Sequence, residues 1–149
     1  MRIFVDADAC PKLVKEILYK AAIRTQTELI LVANQYLSMP KSSLIRAIQV
    51  TSGFDEADRR IVAEVEDGDI VITADIPLAD LVTNKNAIAV NPRGRLYTKD
   101  NIKQQLATRN LMEQLRDNQM LSGGGVAKFG KLDGHALANQ LDWLLANKK

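Results

Sequence analysis

Short runs of strand-like, mostly apolar residues alternate along the chain with longer stretches in which apolar positions recur every three or four residues. The runs at 2–5, 29–33, 69–73 and 87–90 have the length and continuity of strands buried on both faces. A weaker strand is expected over 45–50, after a loop that contains Pro40, Ser42 and Ser43. Helical spacing over 11–24 places Leu13, Val14, Ile17, Leu18, Ala21 and Ala22 on one side, with Pro11 in the first turn. The stretch 56–66 does the same for Ala57, Ile61, Val62 and Val65, and 77–83 reads as a short helix. Strands that alternate with helices in this way predict an α/β fold: a parallel sheet in three layers, with helices on both faces. The C-terminal third is expected to be helical, over 99–118 with Thr98 as N-cap and again over 134–146. Ser122, Gly123, Gly124 and Gly125 form a flexible connector between these two helices.

A length of 149 residues suits one domain spanning 1–149, and 46% hydrophobic with 26% charged residues is an ordinary globular balance. The chain opens on a strand that ends in acids, without the basic and apolar regions of a signal peptide, and no apolar run approaches the roughly 20 residues that span a bilayer. With Cys10 as its single cysteine it can form no internal disulfide. A cytoplasmic location and no membrane contact are the expectation. The net charge of +2 conceals an asymmetry, since residues 1–75 carry −3 and residues 76–149 carry +5. A basic half beside a group of acids suits a polyanion such as RNA or DNA, provided that the acids hold metal; scattered solvated charge explains the same counts.

The placement of the acids matters more than their number. In an open parallel sheet, ligands bind outside the carboxyl ends of the strands, where the strand order reverses. Asp6 and Asp8 close the first strand, Asp75 closes a later one, and Asp80 lies one turn into the following helix. Asp55 and Asp58 open the helix between them and share a face at i, i+3 spacing. Carboxylates gathered within about 4–6 Å repel, which raises their pKa values or recruits a cation. Oxygen donors without His or Cys indicate Mg²⁺ or Mn²⁺, the ions of metal-assisted phosphodiester hydrolysis. Each acid also has a plainer structural reading. Asp55 can be an N-cap, Asp58 a charge favoured by the helix dipole, Asp8 a cap for the first helix and Asp80 a solvated side chain.

The segments MRIFVDADACP (1–11), LVANQ (31–35), GFDEAD (53–58), IVITADIPLA (70–79), NPRGRLYT (91–98) and LATR (106–109) resemble the YaiI/YqxD family of bacterial proteins over nearly the whole chain. Further out, the order of acids is similar to that of PIN-like and NYN-like ribonuclease domains. That resemblance implies a PIN-like fold and a metal-dependent nuclease, with Asp6, Asp55 and Asp75 catalytic and ligating metal, and Asp8 and Asp58 completing the metal shell. Two positions depart from the patterns. Pro77 stands where the NYN-like pattern has a second aspartate, with Asp80 as the nearest substitute, and Gly123, Gly124 and Gly125 stand where the family usually reads Gly-Gly-Pro.

Arg93, in the loop after the last strand, is a candidate phosphate clamp, or else an ion-pair partner that orders one of the aspartates. Lys41 and Ser42 are candidate substrate contacts from a loop that could reach the same edge, and Asn34 and Gln35 could line it. Cys10 reads as a small buried thiol and His135 as structural. At 5%, aromatic residues offer no stacking platform for bases. The alternatives to a nuclease are a non-catalytic module that binds nucleic acid or a partner, and a haloacid-dehalogenase-like phosphatase built on Asp6-Ala7-Asp8. Cys10 and Pro11 fit the phosphatase pattern poorly.

Overall fold

The computed structural model describes residues 1–53, 55–117 and 130–146, so the Ser122 to Gly125 connector lies outside the described residues. Five strands form one parallel sheet: β1 (Ile3–Asp6), β2 (Leu29–Ala33), β3 (Ile45–Gln49), β4 (Ile70–Ile72) and β5 (Ile88–Val90). Their spatial order is β3-β2-β1-β4-β5. The chain therefore starts in the middle of the sheet, builds outward through β2 and β3, then crosses back to add β4 and β5 on the other side. This reversal creates a switch point between β1 and β4, whose pairing sets Val5 opposite Ile72.

Among the described residues, five α-helices cover the two faces: α1 (Lys12–Thr25), α2 (Glu56–Glu64), α3 (Ile76–Thr83), α4 (Lys99–Asp117) and α5 (Lys131–Ala146). Alternation along each strand decides which face a residue serves. Ile3, Val5, Leu29 and Leu31 pack with Val14 and Leu18 of α1 and with Leu137 and Leu141 of α5. Phe4, Ile30, Val32 and Val71 pack with Ile61 of α2, Leu78 and Val82 of α3, and Ile102 of α4. All of these side chains are fully buried or nearly so, which is why the central strands read as unbroken apolar runs. The result is the three-layer α/β arrangement expected from the sequence.

The short connections follow local chemistry. A 3-10 turn at Ala7–Ala9 links β1 to α1. Residues 34–44 cross from β2 to β3 without a helix, and Leu37 and Met39 from this loop pack against the first core. Thr98 does cap α4: its hydroxyl accepts from the Asn101 amide at 3.1 Å, and Asn101 Oδ1 accepts from the Thr98 amide at 2.8 Å. At the amino-terminal edge, buried Asp69 accepts from the Arg2 amide at 3.0 Å and pairs with the Arg2 guanidinium at 2.9 Å, tying β1 to β4. Among the described residues, no helix is long and apolar enough to cross a membrane.

Candidate functional site

The opposite, carboxyl-terminal edge gathers the acids. β1 ends in Asp6, and the 3-10 turn then presents Asp8, whose Oδ2 accepts from the Asn34 amide at 2.7 Å. Asp8 is thus tied to the end of β2 and does not cap α1, whose N-cap position is Pro11. After β4 the Thr73 hydroxyl accepts from the Asp75 amide at 3.0 Å, and Asp75 Oδ1 caps α3 by accepting from the Leu78 amide at 3.1 Å. Asp55 occupies the N-cap position of α2 in a left-handed conformation (φ 63°) in which its side chain makes no capping bond. Capping therefore does not account for Asp55. One turn on, Asp58 lies near enough to Asp75 for the two carboxyls to interact. Asp6, Asp8, Asp55, Asp58 and Asp75 line one cleft of about 270 Å³ at the switch point, together with Asn34, Thr51 and Glu56.

Burial and crowding raise the pKa of two of these acids. Burial pushes the Asp6 carboxyl up, and the neighbouring charges of Asp8 and Asp75 push it further. Asp58 is pushed up to about 7, by burial first, then by Asp75, Asp6 and Asp55. An unfolded chain holds that proton only to about pH 4. The protonated form is thus favoured by folding, and the associated stability, complete below about pH 4, is lost as pH rises to about 7. Asp58→Asn removes this penalty. Its melting temperature is expected to exceed that of wild type by about 3–6 °C at pH 8, or ~1–2 kcal/mol after discounting for solvent screening of a half-exposed pair. At pH 4 no gain is expected, and thermal melts at the two pH values check this. An equal shift at both would show that repulsion between carboxylates is not the cause.

The remaining candidates are placed less uniformly. Arg93 is tied to α5 and to its own loop. Its Nη1 pairs with Asp133 of α5 at 2.7 Å, and its amide donates to Asn91 Oδ1 at 2.8 Å, so the ion pair orders the loop after β5. Lys41 and Ser42 belong to a separate depression of about 750 Å³ beside edge strand β3. The Ser42 carbonyl accepts from the Ile45 amide that begins β3, and its Oγ accepts from the Leu44 amide, which fixes it at the amino-terminal edge, away from the acids. The reason is the parallel crossover: the loop must return to the start of the next strand. Asn34 lines the acid cleft, whereas Gln35 faces the loop depression. Asp80 is not among the residues lining the acid cleft.

Cys10 packs against the first core, and burial pushes its thiol up to about 12, as fits a buried thiol that stays neutral. His135 is exposed on α5. The chain passes from the 3-10 turn directly into α1 without the flap of a haloacid-dehalogenase-like phosphatase. Thr51, Glu56 and Tyr97 were not expected at this edge. The Tyr97 hydroxyl accepts from Asn91 Nδ2 at 3.0 Å and feels the charges of both Arg95 and Asp75. Its position two residues after Arg95 was the available signal. Among the described residues, no three Asp, Glu, His or Cys side chains already converge as a group able to hold a metal ion. The donor chemistry of the cleft, carboxylate with amide and hydroxyl oxygens, is nonetheless that of Mg²⁺ or Mn²⁺.

Residues 4–147 match the family model described as "Uncharacterized BCR, YaiI/YqxD family". A UPF0178 protein of Maridesulfovibrio salexigens is 56% identical over 145 residues, covering 97% of this chain and 95% of that relative. A UPF0178 protein of Dechloromonas aromatica is likewise 56% identical, over 98% of this chain and 97% of its own. One from Legionella pneumophila is 52% identical over 99% of this chain and 100% of its own. No solved structure matches the chain. A match of this identity along essentially the full length leaves one conclusion: the chain belongs to the YaiI/YqxD family.

Proposed function

We propose that the switch-point cleft is the active site of a metal-dependent nuclease that hydrolyses phosphodiester bonds of RNA or DNA. The observation that carries this reading is that five aspartates from three separate segments line one cleft at the strand-order reversal. Asp6, Asp55 and Asp75 would hold Mg²⁺ or Mn²⁺, with Asp8 and Asp58 completing the shell. The backbone bonds from Asn34 to Asp8 and from Leu78 to Asp75 orient two of these carboxylates as supporting contacts do in metal sites. A divalent ion bound there supplies charge neutralisation at the phosphate and activation of water. Because Asp6 and Asp58 hold protons more tightly than ordinary carboxyls, ion binding competes with protonation, and affinity rises with pH through about 7.

A second reading, a non-catalytic module that binds nucleic acid or a partner, is favoured by Pro77 in place of a second aspartate and by the absence of three converged ligands among the described residues. Thermal melts separate metal binding from its absence. With Mn²⁺ at 100-fold its Kd, wild type is expected to melt about 5–10 °C higher than in chelator. In Asp6→Asn that rise is expected to shrink by half or more, with no loss of stability in chelator, since a repelling carboxylate has been removed. If Mn²⁺ shifts neither protein, the nuclease reading is wrong and the binding module takes its place.

A further inference from the structure

A second groove runs between α2 and α3, directly beside the acid cleft. It has a volume of about 560 Å³, and Asp55, Asp58 and Asp75 line both. Away from these acids its walls are Val62, Ala63, Pro77, Leu78 and Leu81, with Arg59 at the rim. The volume falls within the roughly 300–1,000 Å³ of small-molecule pockets, and an apolar wall ending in a few polar groups is their usual composition. Leu81 is half exposed and Leu78 buried, so the groove has a floor built into the second core and an open side.

We propose that this groove holds one unpaired nucleobase of a single-stranded nucleic acid whose adjoining phosphate lies at the acid cleft; the inference rests on the nuclease reading and extends it to substrate class. The chemistry selects a base over other occupants. A planar ring buries both faces against Val62, Pro77 and Leu81, while its exocyclic amino groups donate to the carboxylates that end the groove. An aliphatic ligand leaves the same carboxylates unsatisfied. The guanidinium of Arg59, at the rim, can donate hydrogen bonds to acceptors on the exposed ring edge. A base inside a duplex is stacked and paired and cannot enter a groove between two helices unless it is flipped out, so the site prefers single strands.

Anisotropy titrations in Mn²⁺, with nuclease-resistant phosphorothioate RNA and DNA single strands, their abasic counterparts and their duplexes, test this on the intact chain. The intact single strand is expected to bind roughly 10-fold or more tightly than the abasic strand, the scale of one buried base. Leu81→Ala is expected to reduce that ratio to about 2, and Leu81→Met to preserve it; the partial exposure of Leu81 keeps both variants folded. Equal binding of intact and abasic strands, or a ratio indifferent to Leu81→Ala, overturns the inference. Cleavage by wild type without any base preference removes the pocket and keeps the nuclease. A Leu81-dependent base preference without cleavage keeps the pocket and removes the nuclease, and failure of both removes both.

Discussion

Gly94→Ala is expected to destabilise the protein by about 3–5 kcal/mol, lowering the melting temperature by about 8–16 °C. Two separate costs add. Gly94 has φ of +92°, a backbone conformation in which a side chain costs about 1–3 kcal/mol. A Cβ there would also lie 2.5 Å from the carbonyl carbon of Ala136 and 2.6 Å from the Leu137 amide nitrogen, both backbone of α5. Neither can turn aside as a flexible side chain would. Helix α5 cannot retreat either, because Leu137 and Leu141 are fully buried against the sheet beside α1. Gly68 supplies the internal control. It has φ of +86° with nothing within 4 Å of an added Cβ, so Gly68→Ala bears only the backbone cost. Melts of the two variants isolate the collision as their difference; similar shifts would show that α5 yields and that the close approach carries no cost.

The same loop shows what the sequence could and could not disclose. Strands β1, β2, β4 and β5 were legible because a strand buried on both faces must be apolar at every position, and the helices because one face each is buried. The cleft acids were legible for a topological reason: residues at the ends of adjacent parallel strands share an edge whatever their side chains do. Partners fixed by long-range packing left no local trace. Arg93 pairs with Asp133 because Gly94 brings the loop onto α5, a contact 40 residues apart that no spacing rule predicts. The plainer reading of Asp8 as a helix cap was a local one, whereas its donor, the Asn34 amide, comes from the neighbouring strand end. Lys41 and Ser42 were candidate substrate contacts on a loop that could reach the same edge as the acids. The parallel register sends that loop to the start of β3.

The sharpest test of chemistry at the acid cleft is Asp75→Asn, for which we expect cleavage of RNA or DNA to fall at least about 100-fold while the fold is retained. That loss is on the scale of removing a single group that stabilises charge in a transition state. Retention of the fold follows from what Asp75 does structurally. Its Oδ1 caps α3 by accepting from the Leu78 amide, and an asparagine oxygen at the same position caps nearly as well. The Thr73 hydroxyl bonds the backbone amide of residue 75 and is indifferent to the substitution. Loss of one negative charge also relieves Asp58 and Asp6, both of which Asp75 pushes up, so the variant is expected to be at least as stable as wild type at pH 8. Asp80→Asn, outside the cleft and one turn further along the same helix, is expected to cleave within about 2-fold of wild type. Both variants, purified identically, are compared in Mn²⁺ at pH 8 on RNA and DNA single strands. Equal activity in all three proteins would mean that the hydrolysis does not arise at this edge. Loss in Asp75→Asn alone would tie it to a carboxylate shared by the acid cleft and the apolar groove.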